Sequence, residues 1–391
     1  MIRVLHFSAH NENCGIGKYQ EQFLTAMHEQ PKVIYNEFFP YSPHVTKNMS
    51  HASMTKVLAE LALSLKEFDV LHIQHEFSFF LKDELYRIVK QANDLHKRVI
   101  ITVHTAPEGH YKKPSRGGLG PRSMLHHERE KIKFNRLEEI HVKPMKLADL
   151  ILVHNMATKL DLIKHGIDSS KIKVIVMPVP IITKAAESFE ISQKLNKKPG
   201  DIIYSTIGFI SRSKGVAQSI KALNYLPKNY KLAIIGGTHP SGHGEEYLNE
   251  LCDLIAHFKL QSRVYITGFE PDDDRLNAMI RECDVCVYPY DRAYYNYVSS
   301  AALNNSLANG KPTLTYPTGP FVEINKNNTL AITKSSSYYE LARTLQQMDS
   351  DAYAKAAAIY AETYSYSAEA RNLIKIYQDI NAGRALRTTA V

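Results

Sequence analysis

An α/β fold of two doubly wound, Rossmann-like parallel-sheet domains is predicted by three observations. Apolar runs of strand length alternate with stretches of helical period along most of the chain. At 391 residues the chain is too long for one ordinary core and suits two domains of roughly 100–200 residues each. Near the middle, Pro178-Val179-Pro180 and the polar segment 188–201 interrupt the pattern, because prolines two apart resist helix. The boundary is therefore expected near 180, giving domains 1–180 and 181–391. The last helix, about 365–381, either caps the second domain or crosses back to the first.

The elements follow in order. Strand-like runs occupy 4–7, 70–73, 99–103, 150–153 and 173–176, then 202–207, 231–235, 263–266, 285–288 and 313–315. Helical stretches fall between them at 17–29, 56–66, 82–96 and 156–165, then at 215–226, 244–257, 275–281 and 299–308, with a last one at 352–380. Strands joined by helix-length connections pair in parallel, and ten of them exceed one modest sheet.

Composition narrows the function. A hydrophobic fraction of 44% and a charged fraction of 23% exclude disordered and collagen-like chains. Four cysteines are too few for a disulfide framework. No run approaches the roughly 20 apolar residues of a membrane span, and Met1-Ile2-Arg3-Val4-Leu5-His6-Phe7-Ser8 lacks the apolar core of a secretory signal. A cytoplasmic protein is expected. Forty-eight Lys and Arg against 40 Asp and Glu give +8, which favours nucleotide phosphates, anionic lipid surfaces or nucleic acid. Ten of these cations, among them Lys112, Lys113, Arg116 and Arg122, crowd into 111–146 beside four acids. A solvated face accounts for such a run equally well.

Four motifs bear chemistry. Asn13-Cys14-Gly15-Ile16-Gly17 follows the first strand and opens a helix, where backbone N–H groups favour a phosphate or sugar. Gly208 to Gly215, with Arg212 and Lys214, repeats that position in the second domain and places two cations at a helix start. Ser299 and Ser300 cap a helix that ends at Gly310. Three strands end in histidine: His75 with Glu76, His104 and His154, all on the rim beside the Gly15 loop. Cys283 and Cys286 have no second CxxC and are structural.

These motifs, in this order, resemble the group 1 (family four) retaining glycosyltransferases of the GT-B fold over nearly the whole chain. Asp69-Val70-Leu71-His72-Ile73-Gln74-His75-Glu76-Phe77 is similar to that family's D-V-V-H-I-Q-H-E-Y run, and Ile101-Thr102-Val103-His104-Thr105 to its V-T-L-H-T. Gly208 to Gly215 resembles G-x-x-x-x-x-K-G, and Cys283-Asp284-Val285-Cys286-Val287-Tyr288-Pro289-Tyr290 resembles A-D-V-V-V-L-P-Y. Ser299-Ser300-Ala301-Ala302-Leu303 with Gly310-Lys311-Pro312 resembles S-S-G-T-L…G-K-P.

The resemblance implies two domains facing a cleft and transfer of a sugar from a nucleotide-diphosphate sugar to an acceptor hydroxyl, with retention, in surface glycan or glycolipid assembly. It implies donor contacts from Gly15, Ile16, Gly17, Lys214, Ser299, Ser300, Ala301 and Asn305, with Arg212 standing in for an arginine whose usual position is Phe209 here. It places His104 and Lys214 at the reaction, and His75, Glu76 and His154 are expected on the acceptor side. The E-x7-E positions read Tyr297 and Asn305, a departure that bears on the ribose contacts. No cofactor and no metal are expected: no DxD pair stands out, and Asp272-Asp273-Asp274 fits a helix cap. Expected partners are the nucleotide-sugar donor and a glycan or lipid-linked acceptor, met in the cytoplasm or at the inner membrane face. Two other readings are a nucleic-acid modifying sugar transferase, suggested by the basic stretch, and an inactive glycosyltransferase-like binding protein, suggested by the lost acids.

Overall fold

A computed structural model of the protein describes every residue except 11–13, 30–31, 115–120, 183–186, 239–243 and 384–391; for 121–123 and 326 the backbone alone is described. Asn13 and Arg116 therefore lie outside the described residues, as does the side chain of Arg122.

Among the described residues, twelve strands form two six-stranded parallel sheets. The first comprises β1 (Ile2–Phe7), β2 (Ile34–Phe38), β3 (Val70–His75), β4 (Arg98–Val103), β5 (Leu150–Val153) and β6 (Ile172–Val174), in the order β2-β1-β3-β4-β5-β6. The second comprises β7 (Ile202–Ile207), β8 (Tyr230–Ile235), β9 (Val264–Ile266), β10 (Val285–Tyr288), β11 (Thr313–Thr315) and β12 (Ala331–Ile332), in the order β12-β11-β10-β7-β8-β9. The α/β architecture is the expected one, with two strands more. Both additions, β2 and β12, are sheet edges. An edge strand is half solvated and needs no apolar run, so the sequence gives no strand signal there.

The chain divides into two compact units. Residues 1–176 form the first together with the segment from Tyr366, and Met177–Ser365 form the second. The helical stretch 352–380 is in fact two helices, Ser350–Thr363 and Tyr366–Asn381. The break is fixed where Val179 N–H donates to the Tyr364 carbonyl at 2.8 Å. The Tyr366–Asn381 helix then packs on the Gly15–Met27 helix of the first unit.

Strand parity sets what each face of the first sheet carries. On β3, Leu71 and Ile73 enter one apolar cluster with Phe7, Phe80 and Val103. Val70 enters the other, with Tyr19, Leu152 and Tyr377. A parallel sheet covered on both faces leaves only its strand ends to meet a ligand.

Candidate functional site

In each doubly wound sheet the switch point falls where the strand order reverses, beside β7 and β10 in the second. The loops leaving these two strands carry the expected motifs. Gly215 opens the helix Val216–Leu223 at φ +69°, and an added Cβ would lie 1.9 Å from the Pro289 carbonyl oxygen. Only glycine lets the two loops close to that distance. Asp291 N–H donates to the Ser213 carbonyl at 2.9 Å and pins the loops together.

Lys214 is the centre of what this closure builds. Its Nζ donates to Tyr290 Oη at 2.8 Å. It also lies 4.4 Å from the Tyr290 ring centroid and 5.0 Å from that of Tyr295. Tyr290 is buried, and burial pushes its phenol pKa up, so the hydroxyl keeps its proton. Its Oη lies 3.2 Å from Ser300 Oγ, which accepts from Leu303 N–H at 3.2 Å and so caps the helix Ala301–Ala308. A cation, a phenol and a capped helix start thus form one chain. An added Cβ on Gly208 would stand 3.8 Å from Lys214 Nζ and 3.9 Å from Ala302 Cβ, so the end of β7 borders the same space. Ser299 and Asn305 are half-buried on either side of the cap, and Ala301 is exposed on the first turn. Asn304, next to Asn305, donates from Nδ2 to the carbonyls of Met177 and Pro178, both at 3.0 Å.

Arg212 does not join Lys214. Its guanidinium pairs with Glu250 and lies 4.8 Å from the Tyr247 ring centroid. The carboxylate on the helix Glu245–His257 outcompetes an open position beside a second cation. Arg212 instead lines a cavity of about 550 Å³ with Lys221, Tyr247 and Arg292.

In the first unit, Gly17 approaches the end of β1 so closely that an added Cβ would stand 3.2 Å from the Ala9 carbonyl oxygen. Gly15 faces open space, and Ile16 packs partly on the core. The close approach of Gly17 seats Tyr19 with its ring 5.0 Å from that of His104 and 5.3 Å from that of His154. His104 and His154 lie 5.4 Å apart. Burial, with His154 beside it, holds the His104 pKa well below its ordinary value, and burial lowers that of His154 to about 4. Both rings are therefore neutral near pH 7.

His75 is not on that rim. It lies one residue out of phase with Gln74 and faces the opposite side of the sheet, fully buried. There it stacks on Phe80, ring centroids 5.7 Å apart, and its Nε2 is 3.1 Å from His141 Nδ1. Glu76 turns to the loop beyond β4, meeting His110 Nε2 at 3.1 Å and accepting from Thr105 Oγ1 at 2.8 Å. Its burial raises the carboxyl pKa, but these hydrogen bonds outweigh it and hold Glu76 below the ordinary value. His110, Tyr111, Lys112 and Lys133 border a cavity of about 280 Å³. Farther along, the helix Pro121–Leu137 exposes Met124, Leu125 and Ile132 by 61%, 57% and 67% beside its basic residues.

Asp272 caps the helix Asp273–Glu282, accepting from Arg275 N–H, as expected of that acidic run. Cys283 and Cys286 are buried, free thiols. Sequence reasoning missed Tyr290, Tyr19 and Gln74. Tyr290 carries a signal, since it lies two residues beyond the strand that borders the switch point. Tyr19 and Gln74 read as core positions, and only strand parity would have put Gln74 on the face of His104.

Comparison with known proteins follows this geometry. The family described as Glycosyl transferases group 1 matches residues 187–365, and the one described as Glycosyltransferase Family 4 matches residues 21–181. No curated protein matches the chain significantly. Among solved structures, Alr3699/HepE of Anabaena in complex with UDP is similar at 14% identity, with a TM-score of 0.69 over 97% of this chain and 100% of that one. A glycosyltransferase of Rickettsia africae gives 15% and 0.68 over 97% and 98%. The sucrose-phosphate synthase of Thermosynechococcus elongatus gives 15% and 0.68 over 98% and 100%. These likenesses are likenesses of fold.

Proposed function

The chain belongs to the group 1 glycosyltransferases, and on that premise we propose that it moves a sugar from a nucleotide-diphosphate sugar to an acceptor hydroxyl with retention, in surface glycan or glycolipid assembly. The observation that carries the reading is the Lys214–Tyr290–Ser300 chain at the switch point of the second sheet. The departing nucleotide diphosphate gains negative charge as the glycosidic bond breaks. A lysine and the free N–H groups of a helix start are the groups that stabilise it. Tyr290 holds Lys214 in place through one hydrogen bond and its ring face, so little reorganisation is needed at the moment of reaction. Retention follows from front-face attack by the acceptor hydroxyl, with the departing phosphate oxygen taking its proton. The structure of Alr3699/HepE holds UDP and, in other crystals, UDP with glucose or UDP-glucose, which supports a nucleotide-diphosphate donor here too.

The base sits near Gly236, Gly237 and Phe269, where Phe269 stacks on Phe209 with ring centroids 5.3 Å apart and both rings are partly exposed. On the acceptor side, exposed Met124, Leu125 and Ile132 among cations favour a lipid-linked acceptor at an anionic membrane over nucleic acid, which would not reward apolar exposure. No helix among the described residues is long and apolar enough to cross a membrane, and the contact we propose is peripheral.

A thermal-shift panel of UDP, GDP, ADP and their glucose esters tests the donor. One nucleotide should stabilise the protein by about 2.7 kcal/mol at 100 times its dissociation constant. No shift with any of them, together with no release of nucleotide diphosphate, would sink the reading in favour of an inactive binding protein.

A further inference from the structure

A hydrogen-bonded net of neutral side chains runs under His104, and with Gln74 Nε2 set on Gln20 Oε1 and Gln20 Nε2 set on His6 Nδ1 its protons fall in one order. Gln74, on β3, donates from Nε2 to Gln20 Oε1 at 2.7 Å. Gln20 in turn donates from Nε2 to His6 Nδ1 at 3.0 Å, so His6 carries its proton on Nε2 and gives it to Asn36 Oδ1 at 2.9 Å. With its amide nitrogen committed, Gln74 has only Oε1 to offer His104, whose Nε2 lies 2.8 Å away. Two acceptors cannot face each other at that distance, so His104 Nε2 bears the proton. His72 completes the net as an acceptor. Its Nε2 receives Thr102 Oγ1–H at 2.8 Å and, more loosely, Gln74 Nε2–H at 3.3 Å, while its Nδ1–H donates to Tyr377 Oη at 2.6 Å.

We propose that Gln74 is a positioning residue that locks His104 in the neutral Nε2–H tautomer, so that His104 meets its ligand with a bare Nδ1 that accepts a hydrogen bond from a hydroxyl. The proposal rests on the reading of His104 as a neighbour of the transferred sugar or the acceptor. The ring beside it offers the same chemistry: His154 directs Nδ1–H to the Ile175 carbonyl at 3.4 Å, and its buried Nε2 has no partner. Among the described residues no protein donor reaches His104 Nδ1 either. The groups that face His104 are Tyr19 from the Gly15–Met27 helix, His154 at the end of β5 and Gln74 from β3. A bare nitrogen with no proton to give selects a hydroxyl donor, while His154 Nε2 stays buried. The bond to Gln74 excludes His104 as the acid that protonates a leaving group, because its one proton is held there.

Histidine-15N labelling tests this without any substrate. Long-range proton–nitrogen spectra, with His104 identified by its loss in His104→Gln, should show a protonated Nε2 and a bare Nδ1 at pH 7. An Nδ1–H tautomer or an imidazolium in the wild-type protein overturns the proposal. Gln74→Met removes the acceptor at similar length and should mix the two tautomers. An unchanged tautomer in a folded Gln74→Met protein overturns it as well. With the nucleotide sugar found in the panel above, Gln74→Met should lower kcat about tenfold and leave the donor KM unchanged, the loss expected for one misdirected hydrogen bond. Gln74→Glu keeps an oxygen for the same proton and should recover much of that rate. Its carboxylate raises the His104 pKa, so the recovered rate should fall on acidification at higher pH than in the wild type. Equal loss in both variants at every pH would mean a merely structural glutamine. If no nucleotide sugar is turned over, the functional reading fails while the nitrogen shifts still decide the tautomer.

Discussion

The two sheets end in opposite chemistry. At the switch point of the second stands a half-buried ammonium, Lys214, propped on a phenol beside a capped helix start. At the strand ends of the first stand imidazoles held neutral by burial, His104 and His154, with amides and a phenol behind them. One parallel architecture thus presents charge in one unit and uncharged hydrogen bonding in the other. The difference follows from what lies behind each strand end. A lysine at a loop reaches solvent with its charge intact. A histidine one residue past a strand is backed by the covered sheet, where a charge costs too much.

The sharpest way to break this contrast is to remove the charge. Lys214→Ala should lower transfer by about 10²–10³ with the fold intact, the usual cost of one charge-assisted stabiliser. Substantial activity in a well-folded variant would take the donor site away from Lys214.

Acid should act on the other unit. His6 and His154 are shifted from about 6.5 to about 4 by burial, and His72, His75 and His104 are lowered for the same reason. Below 6.5 the unfolded chain binds protons that the folded unit refuses. Their contribution is whole above about 6.5 and is lost as pH falls through about 4, with a ceiling of about 3 kcal/mol each for His6 and His154. In the second unit the described histidine, His257, is exposed. Amide exchange at pH 7 and pH 5, corrected for intrinsic rate, should therefore show protection falling first in residues 1–176. Equal loss in both units would contradict the contrast.

Tyr290→Phe asks how much of the effect of Lys214 is placement. It keeps the ring and removes the hydroxyl between Lys214 and Ser300. Transfer should drop about tenfold, well short of Lys214→Ala, in line with one hydrogen bond. The smallest effect belongs to the exposed cations Lys112 and Lys113. Reversing both to Glu should weaken binding to anionic vesicles a few-fold, fading with salt as the Debye length shrinks from about 10 Å at 0.1 M to about 3 Å at 1 M. Nucleotide affinity should stay put. Weakened DNA binding with unchanged vesicle binding would favour a nucleic-acid acceptor instead.

Much of this contrast is legible in the residues, and the exceptions have causes. Eight of the ten expected strands are inner ones, which announce themselves because a strand buried on both faces is an apolar run, and the edges β6 and β9 are apolar enough to join them. The edges β2 and β12 do not, for the converse reason. Lys214 and Ser300 are visible because a glycine loop and a helix cap are local patterns. The pairing of Arg212 with Glu250 is not legible locally, because the two lie 38 residues apart. His75 was placed with His104 because strand ends were counted without their phase. The amide net under His104 involves Gln20, Gln74 and Tyr377, which are far apart in the chain, and no local pattern joins them.

One connection has a consequence in time. Ribosomes release the chain from its first residue to its last, yet the first unit needs the Tyr366–Asn381 helix, whose Tyr377 hydroxyl lies 2.6 Å from His72 Nδ1. The second unit, Met177–Ser365, is synthesised in full before that helix. The unit made later should therefore mature earlier, and the one made first must wait with one face of its sheet uncovered. On ribosomes stalled with the chain ended at Ser365 and followed by an unrelated linker long enough to fill the exit tunnel, brief protease treatment should spare the second unit and cut the first. A first unit already resistant at that length would show that it closes without its last helix.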